Sequence, residues 1–450
     1  MLNSVRLRNF KLHEDTKIDT PPVTVFIGPN NSGKSSIFQA VLALRQAVSR
    51  GQTPVFLQPA QRQPPSADQP YLVPGADVID LGEFHDVLRQ GSQAIEIGFS
   101  GTLVPQSPHA YAIGLSLDVA VLIQDNSLRT HTGNLRTDYG EISWDLEKGG
   151  SRQKGLEGIL VKGGLPVQTG LELRIEDSSL VFGLLDNFQL LVAKPQYPPD
   201  VPQAKRAQID EHSKYLADSP RLVLNALHPV PPLRGFEEGG YPITFTVPQY
   251  LDMLTLPDRA VALTNLLAGD RQLRARVSQR LSELLGIGID FETVVGKRLK
   301  IWATHPTNGS PGTLFANEGT GANQLPFVLV PIALAKPGDT ILLSEPEAHL
   351  HPKMQSQLSI ALLKMERALD LQLFIETHSE HVLHALLHAV GAGDLRPDDL
   401  AIYYFQNVDG TAKVERLEVN RYGQVKGGLP GFFDQSLTEL SNYLDALRKA

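Results

Sequence analysis

Apolar and polar positions alternate in SVRLRNF (4–10), and a short continuous apolar run follows in PVTVFIG (22–28). The first pattern predicts a half-buried strand and the second a strand buried on both sides. Beyond GPNNSGKSS, residues Ile37, Val41, Leu44 and Val48 recur at helical spacing, so a helix directly follows that loop. Residues 51–75 hold six prolines and five glutamines, which predicts a long surface insertion without regular structure. From about 93 to 195 strand-like segments dominate (AIEIGFSGTL, YAIGLSLDVAVLI, GLELRIED, FQLLVA), and their Gly, Asn and Asp turns suggest an antiparallel β region. Residues 203–290 read as helical, with Gly269 and Gly286 as stops. From 318 to 450 buried strands and helices alternate again. No internal repeat and no long heptad array is visible.

At 450 residues the chain has room for one large domain or two to three ordinary ones. The pattern divides it into 1–200, with the first loop and the antiparallel strands, 201–335, a helical lobe, and 336–450, the second set of strands and helices. Hydrophobic residues make up 42% and charged residues 20%, the balance of a folded soluble protein. The longest apolar stretch, LPFVLVPIALA, is broken by proline and falls short of the roughly 18 residues of a membrane span. No basic-then-apolar leader opens the chain. The absence of cysteine excludes disulfides and thiolate metal sites and fits a cytoplasmic location. A net charge of −8 does not favour nucleic acid as the main ligand. Arg271, Arg274, Arg276 and Arg280 spread around a helix, as on a solvated surface.

Residues 28–35, GPNNSGKS, fit G-x-x-x-x-G-K-[ST] between a buried strand and an amphipathic helix. Glycines let the backbone wrap so that successive N–H groups face phosphate oxygens, and the helix start adds its positive end. Lys34 would reach the β- and γ-phosphates, and the Ser35 hydroxyl would ligate Mg2+. A second glycine-rich turn, ANEGTGANQ (316–324), opens another helix. It reads either as a second phosphate cradle, in which two chains sandwich each nucleotide, or as an ordinary helix cap. A P-loop enzyme also needs a carboxylate at a neighbouring strand end for Mg2+ and a group that positions the attacking water. After Ile341–Leu343 the candidates are Ser344, Glu345 and Glu347. Another buried strand, LQLFIE, runs into Thr377 and His378, where an imidazole would hydrogen-bond a γ-phosphate. His349 and His351 read as turn and contact residues, and His381, His384 and His388 as a polar helix face.

VRLRNFKLHEDTKI, VTVFIGPNNSGKSSIFQAVLAL, DLGEFHDVL, LHPVPPLRGFEEGGY, GTGANQ, EPEAHLHPKMQSQL, ETHSEH and PGFFD come in this order. Together they resemble the ABC-type ATPase heads of the OLD-like, RecF-like and SMC-like group, and within it the AAA family 15 ATPases. The likeness is dense at both ends and thin from 95 to 225, and EPEAHLHP followed by ETHS is its most specific part. It implies an α/β P-loop ABC-ATPase head with a mixed or parallel core sheet, an antiparallel β region and an inserted helical lobe. ATP and Mg2+ are the implied cofactors. Gly28, Asn30, Asn31, Ser32, Gly33, Lys34, Ser35 and Ser36 would form the Walker A loop. Gly319, Gly321 and Gln324 would belong to a signature loop that contacts ATP across a dimer. Glu345 would be the catalytic glutamate after Walker B, Glu347 to His349 would fall in the D-loop region, and His378 would be the H-switch, with Lys34 beside them. Ser35, Ser344 and Glu345 would surround the metal, and Arg8, Asn9 and Phe10 would lie near the nucleotide. Gln90 is one option for the Q-loop.

Ser344 departs from the family pattern, which has an acid there. A hydroxyl can hold a magnesium-bound water but contributes no charge, so ATP binding with slow turnover is expected, as in a switch rather than a motor. About 70 residues follow ETHSEH, and they show no acid cluster of a metal-dependent nuclease. Similar bare heads act as sensor or scaffold subunits of bacterial anti-phage systems such as PARIS and Septu, beside a separately encoded nuclease-type effector. The resemblance therefore implies a homodimer or higher homo-oligomer that controls such an effector. The alternative is a RecF-like ATPase that loads partners onto DNA.

Overall fold

In a computed structural model of the chain, the described residues are 1–50, 84–103, 113–124, 127–137, 140–145, 203, 222–232, 234–243, 259–294, 298–305 and 312–428. The expected insertion at 51–75, the segments GLELRIED and FQLLVA, and PGFFD lie outside them. Among the described residues the strands are β1 (Leu2–Phe10), β2 (His13–Asp19), β3 (Val23–Ile27), β4 (Ala94–Leu103), β5 (Ile113–Gln124), β6 (Ser127–Thr137), β7 (Gly140–Asp145), β8 (Leu227–Val230), β9 (Tyr241–Pro242), β10 (Gly288–Val294), β11 (Arg298–Thr304), β12 (Thr313–Leu314), β13 (Thr340–Ser344), β14 (Gln372–Glu376), β15 (Leu400–Val408) and β16 (Thr411–Leu417). The helices are α1 (Lys34–Arg50), α2 (Phe84–Val87), α3 (Arg259–Gly269), α4 (Arg271–Leu285), α5 (Thr320–Leu334), α6 (Pro352–Leu369) and α7 (Glu380–Gly391).

The central sheet has the order β16-β15-β3-β14-β13-β8. Its members pair in parallel except for β16, which returns antiparallel along β15. Both faces are covered, which is why β3, β13 and β14 read as unbroken apolar runs. On one face Phe26, Leu342 and Phe374 pack with Ile37 and Val41 of α1 and with Leu7 and Ile97 of the first strands. On the other, Val25, Ile27, Leu343 and Ile375 pack with Val328 of α5, Leu362 of α6 and Leu386 of α7.

A second, antiparallel sheet has the order β2-β1-β4-β5-β6-β7 and supplies the expected antiparallel region. Gln372 ties it to the core. Its Nε2 donates to the carbonyls of Leu2 (2.6 Å) and Thr20 (2.7 Å), and its Oε1 accepts from Leu2 N (2.9 Å) and Thr340 Oγ1 (2.7 Å). A third sheet joins β10, β11 and β12, with β9 against β11.

The helical stops fall as the sequence implies: α3 ends at Gly269, Asp270 caps α4, and Gly286 closes it at φ 72°. The helical reading of 203–290 misses β8, which completes the core sheet, and β9. Strand β2 also escapes the hydrophobic pattern, because two of its inward residues, His13 and Thr16, are polar and satisfy each other at 2.9 Å. The β15–β16 hairpin turns at Asp409 and Gly410, both at positive φ, as the Asp-Gly pair favours.

Candidate active site

The loop after β3 is built for close backbone approach. Gly28 sits at φ 140°, where an added Cβ would lie 2.2 Å from the Phe405 carbonyl oxygen, and Gly33 sits at φ 98° against the His13 ring. Asn31, at φ 57°, is held through its carbonyl by Asn407 Nδ2 at 3.1 Å. His13 Nε2 lies 3.0 Å from the Gly33 carbonyl, and burial holds its pKa below the ordinary histidine value. Lys34 starts α1, folds back and donates to the carbonyls of Gly28 (3.0 Å) and Pro29 (2.8 Å). Burial also lowers the Lys34 pKa, opposed by Glu376 and Glu345. Ser32 Oγ is buried without a hydrogen-bond partner. A buried cation, an unpartnered hydroxyl and a helix start facing one cradle suit a polyphosphate.

Beside this loop the ends of β13 and β14 bring the acids and the imidazole together. Glu345 adopts φ 46°, a left-handed conformation that costs about 1–3 kcal/mol away from glycine. It is held from both sides: its N–H donates to the Glu376 carbonyl (2.8 Å), and its own carbonyl accepts from Arg234 Nη2 (2.7 Å). Arg234 Nη1 donates to the carbonyls of Ser344 (3.0 Å), Pro231 (2.8 Å) and, more weakly, Pro232 (3.3 Å). Burial pushes the Arg234 pKa down to about 10, with Glu347 and Glu345 opposing. His378 Nε2 stands 3.7 Å from Glu345 Oε1, too far for a hydrogen bond, and both side chains are partly exposed, 37% and 41%. Burial and the Lys34 charge lower the His378 pKa, which favours the neutral imidazole at pH 7. Glu347 is buried, bonded to the Thr377 hydroxyl, and burial raises its pKa.

The 28–36 loop, Ser344, Glu345 and His378 thus form one constellation. The turn at Gly319 packs against the segment that follows Glu347, since a Cβ on Gly321 would lie 2.7 Å from the His349 carbonyl oxygen. Gly319 and Thr320 are exposed, whereas Gln324 lies buried in α5 with its Oε1 unpartnered. From the β1–β2 turn, Lys11 and His13 meet the loop and its helix, Lys11 through Gln39 at 2.6 Å. The Arg8 guanidinium instead binds Glu96 on β4 (3.0 and 2.9 Å), Asn9 shapes the turn at φ 54°, and Phe10 is buried. Gln90 lies exposed in the turn after α2. His351 caps α6 and His349 makes a left-handed turn; His381, His384 and His388 line the exposed face of α7.

Two residues of the constellation escape a reading of the sequence. Glu376 ends β14, and its Oε1 accepts a 2.5 Å bond from Ser35 Oγ. Arg234 acts only on backbone carbonyls, two of them 110 and 111 positions away. The sequence shows Glu376 as an acid closing a buried strand, but its place beside the loop depends on strand order.

Residues 1–69 and 282–383 match the AAA_15 family, described as an AAA ATPase domain. Those two segments are similar to the AAA ATPase domain of that family. Residues 395–442 match a second family, described as a protein of unknown function (DUF3696). No curated protein matches the chain. Among solved structures, the SMC head domain from Thermotoga maritima is 12% identical, with a TM-score of 0.40, covering 93% of this chain and 99% of that one. An Smc head bound to the C-terminal winged-helix domain of ScpA gives 12% and 0.42, covering 93% and 98%. An Smc head with an extended coiled coil, bound to the C-terminal domain of ScpA from Pyrococcus furiosus, gives 12% and 0.40, covering 99% of each chain. The AAA ATPase match spans the phosphate loop, Glu345 and His378.

Proposed function

We propose that this chain binds ATP with Mg2+ at residues 28–36, hydrolyses it, and uses the nucleotide to switch between separate and paired copies. The observation that carries the reading is the meeting of Glu345 and His378, 3.7 Å apart, at the mouth of the Lys34 loop. Lys34 and the loop N–H groups hold the phosphates, and the Ser35 hydroxyl faces the metal. Bound Mg2+ would supply positive charge that offsets the charge developing on the phosphates. The Glu345 carboxylate accepts a hydrogen bond from the attacking water and orients it toward the γ-phosphorus. His378, neutral at pH 7, donates from one ring nitrogen to a γ-phosphate oxygen, so its contact is lost once that phosphate leaves.

The second half of the site comes from another copy. No side chain caps α5 at Gly319, and Gly319 and Thr320 are exposed, so this helix start is open to a phosphate on a facing chain. Light scattering on Glu345→Gln tests the pairing: ATP and Mg2+ should double the mass, and a monomer at saturating ATP would contradict it. The finer role, control of a separately encoded nuclease-type effector in anti-phage defence, is supported by the sequence resemblance. Stable, ATP-dependent co-purification with a neighbouring gene's product is the expected result. A strongly salt-dependent DNA affinity in its place would support the RecF-like alternative.

A further inference from the structure

The geometry points to Glu376 as the acid of the metal site, set one strand nearer the phosphate loop than position 344. The inference rests on the reading of residues 28–36 as an ATP and Mg2+ site. Strand β14 lies between β13 and β3, and in the parallel register Ser344 pairs with Glu376. The two residues therefore end neighbouring strands at one level, about 4.8 Å apart across the sheet. Glu376 stands on the side of β3 and the loop that follows it. Its Oε1 accepts from Ser35 Oγ at 2.5 Å, and this is the hydroxyl that a P-loop offers to Mg2+. Burial raises the pKa of this carboxylate, and the Ser35 hydroxyl, the Lys34 charge and the Ser344 hydroxyl all oppose that rise.

Two arguments separate a metal acid from a plain structural carboxylate. Glu376 is only 5% exposed, yet among the described residues no Lys, Arg or His lies within 4.0 Å of its oxygens. A buried anion without a cation partner is costly, and buried charges are as a rule paired or bound to metal. Mg2+ suits this donor set, because it takes one or two carboxylates and gathers its other ligands from phosphate and water. The second argument concerns position 344. A carboxylate there would face Glu376 across the strand pair, and two anions so close disfavour each other's ionised form. A hydroxyl at 344 supports Glu376 instead. Ser344 is then the companion of a displaced acid, and the uncharged strand end, the premise for expecting slow turnover, is replaced by a charged one.

The test uses the full chain with a non-hydrolysable ATP analogue and Mn2+ as the probe, read by electron paramagnetic resonance. Glu376→Gln should weaken Mn2+ in the nucleotide complex by about 10–100-fold, while metal-free binding of the analogue changes by less than about twofold. Adding Ser344→Asp to Glu376→Gln should recover most of the Mn2+ affinity, because the acid returns to the neighbouring strand. Ser344→Asp alone should not tighten Mn2+. Since Glu376 is buried, Glu376→Asp is measured in parallel; it keeps the charge but withdraws it from Ser35 by one methylene, and a severalfold loss of Mn2+ affinity is expected. Wild-type Mn2+ affinity in Glu376→Gln, or in Glu376→Asp, overturns the assignment while leaving the ATP site standing. A wild-type chain that binds neither the analogue nor its Mn2+ complex overturns the reading beneath it.

Discussion

Arg234 holds the backbone of the residue proposed to orient water, and removing its charge separates geometry from stability. In Arg234→Met the Ser344 and Glu345 carbonyls lose their charged donors, and each unsatisfied carbonyl costs about 1–3 kcal/mol. Against this stands the guanidinium itself. Burial pulls its pKa well below the ordinary guanidinium value, to about 10, which corresponds to about 3 kcal/mol spent on keeping the charge there. The Pro231 carbonyl loses its donor as well, so the relief offsets only part of the loss and leaves a net destabilisation on the order of 3 kcal/mol. The effect on chemistry should be far larger. Glu345 sits at φ 46°, strained by about 1–3 kcal/mol, and without the Arg234 clamp that strain can relax. A displacement of about 1 Å in a catalytic group costs on the order of a hundredfold in rate. Steady-state turnover should therefore fall about a hundredfold in Arg234→Met, with nucleotide affinity within about threefold of wild type and a urea midpoint lowered while the chain stays folded in water. Arg234→Lys should not recover the rate, because an ammonium cannot present two planar donors to both carbonyls. Turnover within about threefold of wild type would show that Arg234 does not position Glu345. A rate loss matched by global unfolding would assign it to the fold alone.

Three further outcomes follow from the same geometry. Gly28→Ala places a Cβ 2.2 Å from the Phe405 carbonyl at a φ of 140°, and β15 is fixed there by its pairing with β3. Nucleotide binding measured by calorimetry should be lost, and wild-type affinity would contradict the close approach. Gln372→Leu removes the bonds joining β1 and β13 to β14, and urea unfolding should register a loss of about 3–5 kcal/mol; less than about 1 kcal/mol would mean the tie is dispensable. Burial pushes Glu366 up to about 7. The folded state therefore binds this proton more tightly than the unfolded chain, so the stabilisation is present at acid pH and is lost as pH rises through about 7. Glu366→Gln should raise the melting temperature at pH 8.5 and leave it nearly unchanged at pH 4.5, whereas equal shifts at both would point to packing rather than titration.

What the sequence discloses is local. The phosphate loop is legible because Gly28 to Ser36 carry their chemistry in one stretch, between an unbroken apolar strand and a helix of the right spacing. Glu345 and His378 are legible because each follows a buried strand. Glu376 is not, since its value depends on strand order: nothing in LQLFIETH says that β14 lies between β13 and β3. Arg234 is hidden for a related reason, its partners being carbonyls that any residue possesses. Strand β2 is masked by its polar inward face, where a histidine and a threonine serve each other in place of an apolar pair. The β15–β16 hairpin, in contrast, carries its turn in the sequence, as the Asp409-Gly410 pair after an apolar run.

The central claim is that the constellation hydrolyses ATP and that Glu345 orients the attacking water. Steady-state phosphate release by the purified chain with Mg2+, set against Glu345→Gln, tests it most directly. The account predicts measurable turnover in the wild type and at least a hundredfold loss in the variant, with ATP still bound by both. Equal rates in the two proteins would contradict it.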